Sequence, residues 1–216
     1  MKYLNFKMNI ISKLKWRYAA KKFDETANVS SEKLMVLKEA FNLTATSYGL
    51  QPVKLLILKN KNLQANLVEH SMNQEQVAQA SHVLVFCVET KIDSKYIESY
   101  FHRVKKARNT PDEILNPFKE FLIEDFKDKP KVSIKDWAVK QAYLAMGNLL
   151  TVCAVEDIDA CPMEGFSPEA YDKLLGLDKK GLESVLVMPI GYRANDDILA
   201  DLKKVRKEIH ESIIEL

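Results

Sequence analysis

The sequence predicts an α+β fold, a central mixed sheet surrounded by helices, and three observations carry that prediction. Three short apolar runs, each bounded by polar residues or glycine, read as buried strands. Segments with helical spacing or helix-start chemistry flank all three. The six glycines are scattered singly from Gly49 to Gly191, so no glycine-rich turn of a doubly wound sheet follows any run.

In chain order, Leu4, Met8, Ile11 and Leu14 recur at helical spacing and open the fold with a helix. Arg17 to Val29 is a connector, after which Ser30 caps a helix carrying Leu34, Leu37 and Phe41. The strands are 54–59, 82–88 and 184–190. Thr110-Pro111-Asp112-Glu113 combines a cap, a first-turn proline and an acidic third position, and predicts a helix through Phe121 toward Phe126. Ser133 opens the longest helical stretch. Leu144, Ala145, Met146, Leu149, Leu150 and Val152 surround it on more than one face, while Ala142, Ala145 and Gly147 permit close approach. This helix is expected to be central and buried, and packing at a dimer interface would explain its all-round apolarity. Trp137 and Tyr143 read as packing residues. Ser167 and Pro168 start another helix. With no repeat, low-complexity tract or flexible linker, residues 1–216 read as one domain.

Composition narrows the functional classes. The net charge of +2, from 32 basic and 30 acidic residues, provides no broad cationic face for nucleic acid, but small anions remain suitable partners. Cys87, Cys153 and Cys161 lie in apolar surroundings without CxxC spacing, which suggests reduced thiols and a cytoplasmic location. No run approaches the roughly 18 apolar residues of a spanning helix, and polar residues interrupt Met1 to Asn5, so neither a membrane nor export is expected. His70, His82, His102 and His210 lack metal-ligand spacing, so no metal is expected. Neither GxGxxG nor GxxxxGK[ST] occurs. A nicotinamide donor would therefore bind transiently against another tightly held cofactor, for which a flavin is the obvious candidate.

Two basic clusters bracket two glycine-containing turns. The clusters are Arg17-Tyr18-Ala19-Ala20-Lys21 and Lys203-Lys204-Val205-Arg206; the turns are Ser47-Tyr48-Gly49-Leu50-Gln51-Pro52 and Pro162-Met163-Glu164-Gly165-Phe166. Fixed cations and exposed backbone N–H groups are what a phosphate-bearing cofactor requires. Arg17, Lys204 and Arg206 offer about three positive charges to a phosphate monoester of roughly −2.

In this order the segments resemble the FMN-dependent nitroreductase family, which includes oxygen-insensitive NAD(P)H nitroreductases and dihydropteridine reductases. The resemblance implies a nitroreductase-like fold, FMN as cofactor and NADH or NADPH as electron donor. It implies that Arg17, Tyr18, Ala19 and Lys21 form the N-terminal flavin motif, with Arg17 at the phosphate and Lys21 at the pyrimidine side of the ring. Thr46, Ser47 and Gly49 would approach the flavin of a partner subunit. Asn73 and Gln76, shortly ahead of Ala80-Ser81-His82, would lie near the N3 and O2 edge. Pro162, Met163, Glu164 and Gly165 would form the P-x-E-G segment beside flavin N5, with Glu164 and Gly165 where hydride arrives. Lys204 and Arg206 would close over the phosphate. The stretch from Tyr96 to Phe126 would roof the substrate cavity, with Phe121 and Asn73 against the substrate.

The implied activity passes two electrons from NAD(P)H to quinone, nitroaromatic or related small-molecule acceptors by a ping-pong exchange, in a homodimer with FMN at the interface. Ala19 stands where the family often has serine, Gln76 where a cation is common and Lys203 where proline is frequent. Two other readings accompany this one: a flavin-fold binding or sensing protein without turnover, and a cofactor-free helical interaction protein whose basic ends are solvated faces.

Overall fold

The computed structural model describes residues 10–216. Leu4 and Met8, expected in the opening helix, lie outside the described residues. Helix α1 is Ile10–Trp16, and after the connector Ser30 caps α2, Ser31–Asn42, by accepting from the Lys33 N–H at 3.3 Å. Strand β1, Val53–Leu58, is followed by α3, Lys61–Val68, capped by Asn60, and by the single turn α4, Gln76–Gln79. Then come β2, His82–Glu89, α5, Ser94–Arg108, capped by Asp93, and α6, Asp112–Asp128. The 25-residue α7, Lys131–Val155, leads to β3, Asp159–Ala160, α8, Pro168–Leu175, β4, Leu182–Gly191, and the short α9, Ile209–Ser212.

The sheet order is β1-β2-β4-β3 and every strand ladder is antiparallel. The expected mixed sheet reduces to one parallel bridge, Ala19 to Ala160, made by the connector and not by a strand. Central β2 alternates between two apolar layers because successive side chains point to opposite faces. Leu84, Phe86 and Val88 join α2, α5, α6 and α7 on one face. Val83, Val85 and Cys87 join α3, α8 and the 161–166 segment on the other. Burial on both faces explains why β2 reads as an unbroken apolar run.

Two helix starts differ from expectation. Pro111 occupies the cap position of α6 instead of its first turn, and α7 begins at Lys131, two residues before Ser133, behind Pro130. Proline supplies the extended backbone of a cap without a side-chain hydrogen bond.

Helix α7 buries Ala138, Gln141, Ala142, Ala145, Met146, Leu149 and Cys153 against the sheet and α2. Its opposite side exposes Lys140, Tyr143, Leu144 and Gly147. By length and composition it is the one described helix apolar enough to cross a membrane, which the run-length reading did not anticipate; its buried face accounts for much of that character. Trp137 packs on Phe126, with ring centroids 5.2 Å apart, as expected of a core aromatic. Tyr143 does not: it is 47% exposed.

The connector is fastened to the β3–β4 edge. Phe23 and Arg193 form a bridge, the Asp24 N–H donates to Tyr192 O at 2.8 Å, and the buried Asp159 carboxylate accepts from the Arg193 main chain and guanidinium. Arg193 also lies over the Trp16 and Tyr18 rings, at 4.4 and 4.5 Å.

Leu149 is fully buried where α7 meets the sheet. Leu149→Ala is expected to destabilise the fold by about 2–5 kcal/mol through lost burial and a residual cavity, read as a lower urea midpoint at unchanged slope.

Candidate functional site

The site starts with three cations. Arg17 follows the last turn of α1, and its carbonyl accepts from Lys204 Nζ, so the 203–206 segment folds back over the connector. The Arg17 guanidinium is held below its ordinary value first by burial and then by the charge of Arg206; Lys204 is lowered by burial and then by Arg17 and Arg206. None of the three has a carboxylate within ion-pair reach among the described residues. Like charges gathered without a counter-charge are unfavourable alone and favour an anion of charge near −2. Lys204, not Lys203, makes the contact with Arg17.

From this cluster a line of polar groups runs toward Gly165. Lys21 Nζ lies 3.7 Å from Cys161 Sγ, and Gln76 Nε2 lies 3.8 Å from the same sulfur and 3.9 Å from Met163 Sδ. Gln76 Nε2 donates to Gln74 Oε1 at 2.8 Å, and Gln74 Nε2 donates to the Gly165 carbonyl at 3.1 Å. Met163 is bridged to Val187 of β4, which fixes the Pro162–Gly165 turn to the sheet. A Cβ at Gly165 would lie 3.1 Å from Met72 Sδ and 3.2 Å from Gln74 Nε2, so a larger residue would press on the side chain that holds the Gly165 carbonyl. The N–H groups of Glu164 and Gly165 donate no hydrogen bond among the described residues. Asn73 is exposed, with a left-handed backbone (φ 55°), beside this turn in the Met72–Gln74 loop.

Asp197 organises the connector. Its buried carboxylate accepts from the Tyr18 hydroxyl at 2.9 Å, from the Lys21 and Lys22 N–H groups at 2.9 and 3.2 Å, and from the Leu199 N–H at 3.1 Å. Burial pushes this carboxyl up, but the hydrogen bonds outweigh it and hold it below the usual range. The Tyr18 phenol is driven well above its ordinary value, by burial and then by Asp197. Tyr18 thus serves the frame of the site, and Ala19 its edge through the Ala160 bridge. Burial also raises the Cys161 thiol.

A second group lies apart. The Ser47 N–H donates to Gln141 Oε1 at 2.9 Å, Thr46 Oγ1 accepts from the Gln51 N–H at 3.1 Å, and a Cβ at Gly49 would lie 2.7 Å from the Tyr100 hydroxyl. Tyr48 touches Phe118, Phe126 and Trp137, and Phe118 stacks on the exposed Phe121 at an interplanar angle of 13°. No hydrogen bond among the described residues joins Thr46, Ser47, Gly49 or Phe121 to the Arg17 group. Helix α7 touches both, through Gln141 and through the Tyr143 hydroxyl, which donates to Glu164 Oε1 at 2.6 Å.

The model of the nitroreductase family matches residues 14–192. The chain belongs to the nitroreductase family. It is 29% identical, over 97% of its length and 100% of the relative's, to an oxygen-insensitive NAD(P)H nitroreductase of Salmonella typhimurium. It is 32% identical, over 94% of its length and 97% of the relative's, to the major NAD(P)H-flavin oxidoreductase of Aliivibrio fischeri. Among solved structures, a nitroreductase-fold protein of Exiguobacterium sibiricum in complex with FMN superposes with a TM-score of 0.83, at 20% identity over 97% of this chain and 98% of that one. The nitroreductase match includes the connector, the 46–49 loop, Gln76 and the Pro162–Gly165 turn, and ends before Lys204 and Arg206.

Sequence reasoning missed Asp197 and Gln74, and it read Cys161 only as a buried thiol. Asp197 sits in an ordinary acidic turn 175 to 179 residues from its partners in the connector, and no spacing rule reaches that far. Asp197→Asn is expected to lose on the order of 1–3 kcal/mol at pH 7. A carboxyl lowered by folding stabilises above its unfolded value and loses that contribution as pH falls through its folded value. The gap between Asp197→Asn and wild type should therefore start to narrow as pH falls below about 4 and go on narrowing through the lowered folded value, as followed by denaturant titrations across pH.

Proposed function

We propose that this nitroreductase-family oxidoreductase is a single domain that binds FMN and passes two electrons from NADH or NADPH to quinone, nitroaromatic or related small-molecule acceptors in two successive half-reactions. The observation that carries the reading is the cluster of Arg17, Lys204 and Arg206, with no carboxylate partner among the described residues, continued through Lys21, Gln76 and Cys161 to the N–H groups of Glu164 and Gly165, which donate no hydrogen bond among those residues. The donor set fits FMN: cations for a monoester phosphate, a lysine and an amide for a polar ring edge, and peptide N–H groups for a ring nitrogen. The NAD(P)H-dependent relatives and the FMN complex of the same fold support it further.

FMN, when bound, supplies the two-electron carrier that accepts hydride from the nicotinamide and reduces the acceptor. Arg17, Lys204 and Arg206 bind its phosphate, with arginine able to do so bidentately. Lys21 offsets negative charge at the pyrimidine edge, and neutral Gln76 does so less than a second cation would. Pro162 and Met163 hold the turn, and Glu164 and Gly165 present their N–H groups at the ring edge. Asn73 and Phe121 contact the acceptor, which positioning over the ring activates with little side-chain acid–base chemistry.

The protein works as a homodimer in the cytoplasm. In this reading Thr46, Ser47 and Gly49 complete the partner subunit's site, and Phe121 roofs it. The lack of a hydrogen bond between these residues and the Arg17 group among the described residues, and the exposed stripe of Tyr143, Leu144 and Gly147 on α7, support that arrangement. Neither nucleic acid nor a membrane takes part.

An anaerobic visible spectrum before and after NADH or NADPH tests the reading: yellow protein that bleaches, then recolours with a quinone or nitroaromatic, is expected. Yellow protein that does not bleach would favour a binding role, and protein that stays colourless after FMN addition would favour a cofactor-free one. In Arg17→Ala, Lys204→Ala, the loss of two charge-assisted contacts should weaken FMN affinity by about 100-fold or more, read by flavin fluorescence quenching; normal stoichiometric flavin would sink the phosphate assignment. Leu144→Arg, which places a charge on the exposed stripe, should sediment as a monomer and retain less flavin.

A further inference from the structure

Tyr143 projects from the outer side of α7, and its hydroxyl meets Glu164 Oε1 at 2.6 Å. A bond of that length lies in the charge-assisted range for a hydroxyl on a carboxylate. The phenol is raised above its ordinary value, first by this bond and then by burial, so tyrosine keeps the proton and the carboxylate accepts. The Glu164 carboxylate has no other hydrogen bond or ion pair among the described residues.

The rest of the turn is held through its backbone. Phe166 N–H donates to the Glu164 carbonyl at 2.9 Å, Gln74 Nε2 donates to the Gly165 carbonyl at 3.1 Å, and Met163 is bridged to Val187. These anchors fix the main chain and leave the Glu164 side chain to Tyr143 alone among the described residues. The carboxylate is thus a negative charge one residue from the free Gly165 N–H.

We propose that Tyr143 is a positioning residue of the FMN site, which holds the Glu164 carboxylate toward α7 and damps its negative charge beside the reacting edge of the ring. The inference rests on the FMN reading above. A carboxylate deprived of its donor would disfavour the electron-rich reduced ring by through-space repulsion, and the flavin potential would fall.

The test is a double-mutant cycle of Tyr143→Phe and Glu164→Gln, read by the midpoint potential of the bound flavin. Both variants leave the phosphate cluster intact and should retain FMN. Tyr143→Phe is expected to shift the reduction equilibrium about tenfold toward the oxidised ring, ~30 mV for a two-electron couple. In the Glu164→Gln background the same substitution should produce no further shift, because no charge remains to be damped. A simple packing role for Tyr143 would give equal shifts in both backgrounds, and that result, or an unchanged potential in Tyr143→Phe, overturns the inference.

A second readout needs no flavin. In apoprotein labelled with 13C at tyrosine Cζ, the Tyr143 resonance, assigned by its loss in Tyr143→Phe, should titrate above about pH 10 and move down in Glu164→Gln. An unmoved titration removes the pair, and the inference with it. Wild-type protein that titrates as expected yet binds no FMN would instead overturn the FMN reading and the role built on it.

Discussion

The site depends on the grip of Asp197 on the connector. One buried carboxylate receives a phenol and two consecutive backbone N–H groups from residues 18–22, and a fourth donor from its own turn. Those bonds fix the segment between Arg17, at one end of the candidate cofactor line, and Lys21, the next cation along it. The repulsion among Arg17, Lys204 and Arg206 opposes the arrangement, since like charges in partly buried surroundings interact more strongly than in water. Fixing the connector by a buried carboxylate, with Asp159 and Arg193 fastening the adjacent edge, lets the cations stay close without pairing with acids of their own. A carboxylate placed among the cations would hold the cluster together too, but it would occupy the charge that an anion needs.

Helix α7 imposes the second constraint. It has one face of alanine, methionine and leucine in the core and another with Tyr143, Leu144 and Gly147 outside it. An apolar face left in water is unfavourable, so the outer stripe accords with a protein-covered state. The same helix holds the 46–49 loop through Gln141 and the Glu164 turn through Tyr143, two positions apart and on different faces. The 46–49 loop and the Glu164 turn are therefore both coupled to one helix.

The sequence made the repetitive parts legible and left the long-range parts hidden. Strands β2 and β4 were readable because they are largely buried on both faces, which turns alternation into continuous apolar runs. Ser30 was readable because a cap is local chemistry. Antiparallel pairing was not, because strand direction depends on how helices route the chain between strands and not on strand composition. Tyr143 was misread as packing because an aromatic in an apolar helix usually is; its partner, 21 residues away, joins it through the β3 edge and the return of the chain. Arg17, Lys204 and Arg206 were legible as basic clusters, but their meeting was not, since it depends on Asp197 and on the fold-back of residues 203–206.

Gln76 shows how one neutral side chain can act at both levels. It is buried and donates to Gln74 Oε1, so it helps aim the Gln74 amide at the Gly165 carbonyl. A lysine there could also donate to Gln74 Oε1, but it would bring a second ammonium near Lys21, across the Cys161 sulfur that both groups approach. The neutral amide thus joins the relay of hydrogen bonds to the Gly165 turn without adding a positive charge beside Lys21. Charge would act on the electron affinity of a bound ring, whereas the relay acts on where the Gly165 N–H is held. In the proposed FMN site Lys21 would serve the first, and Gln76 with Gln74 the second.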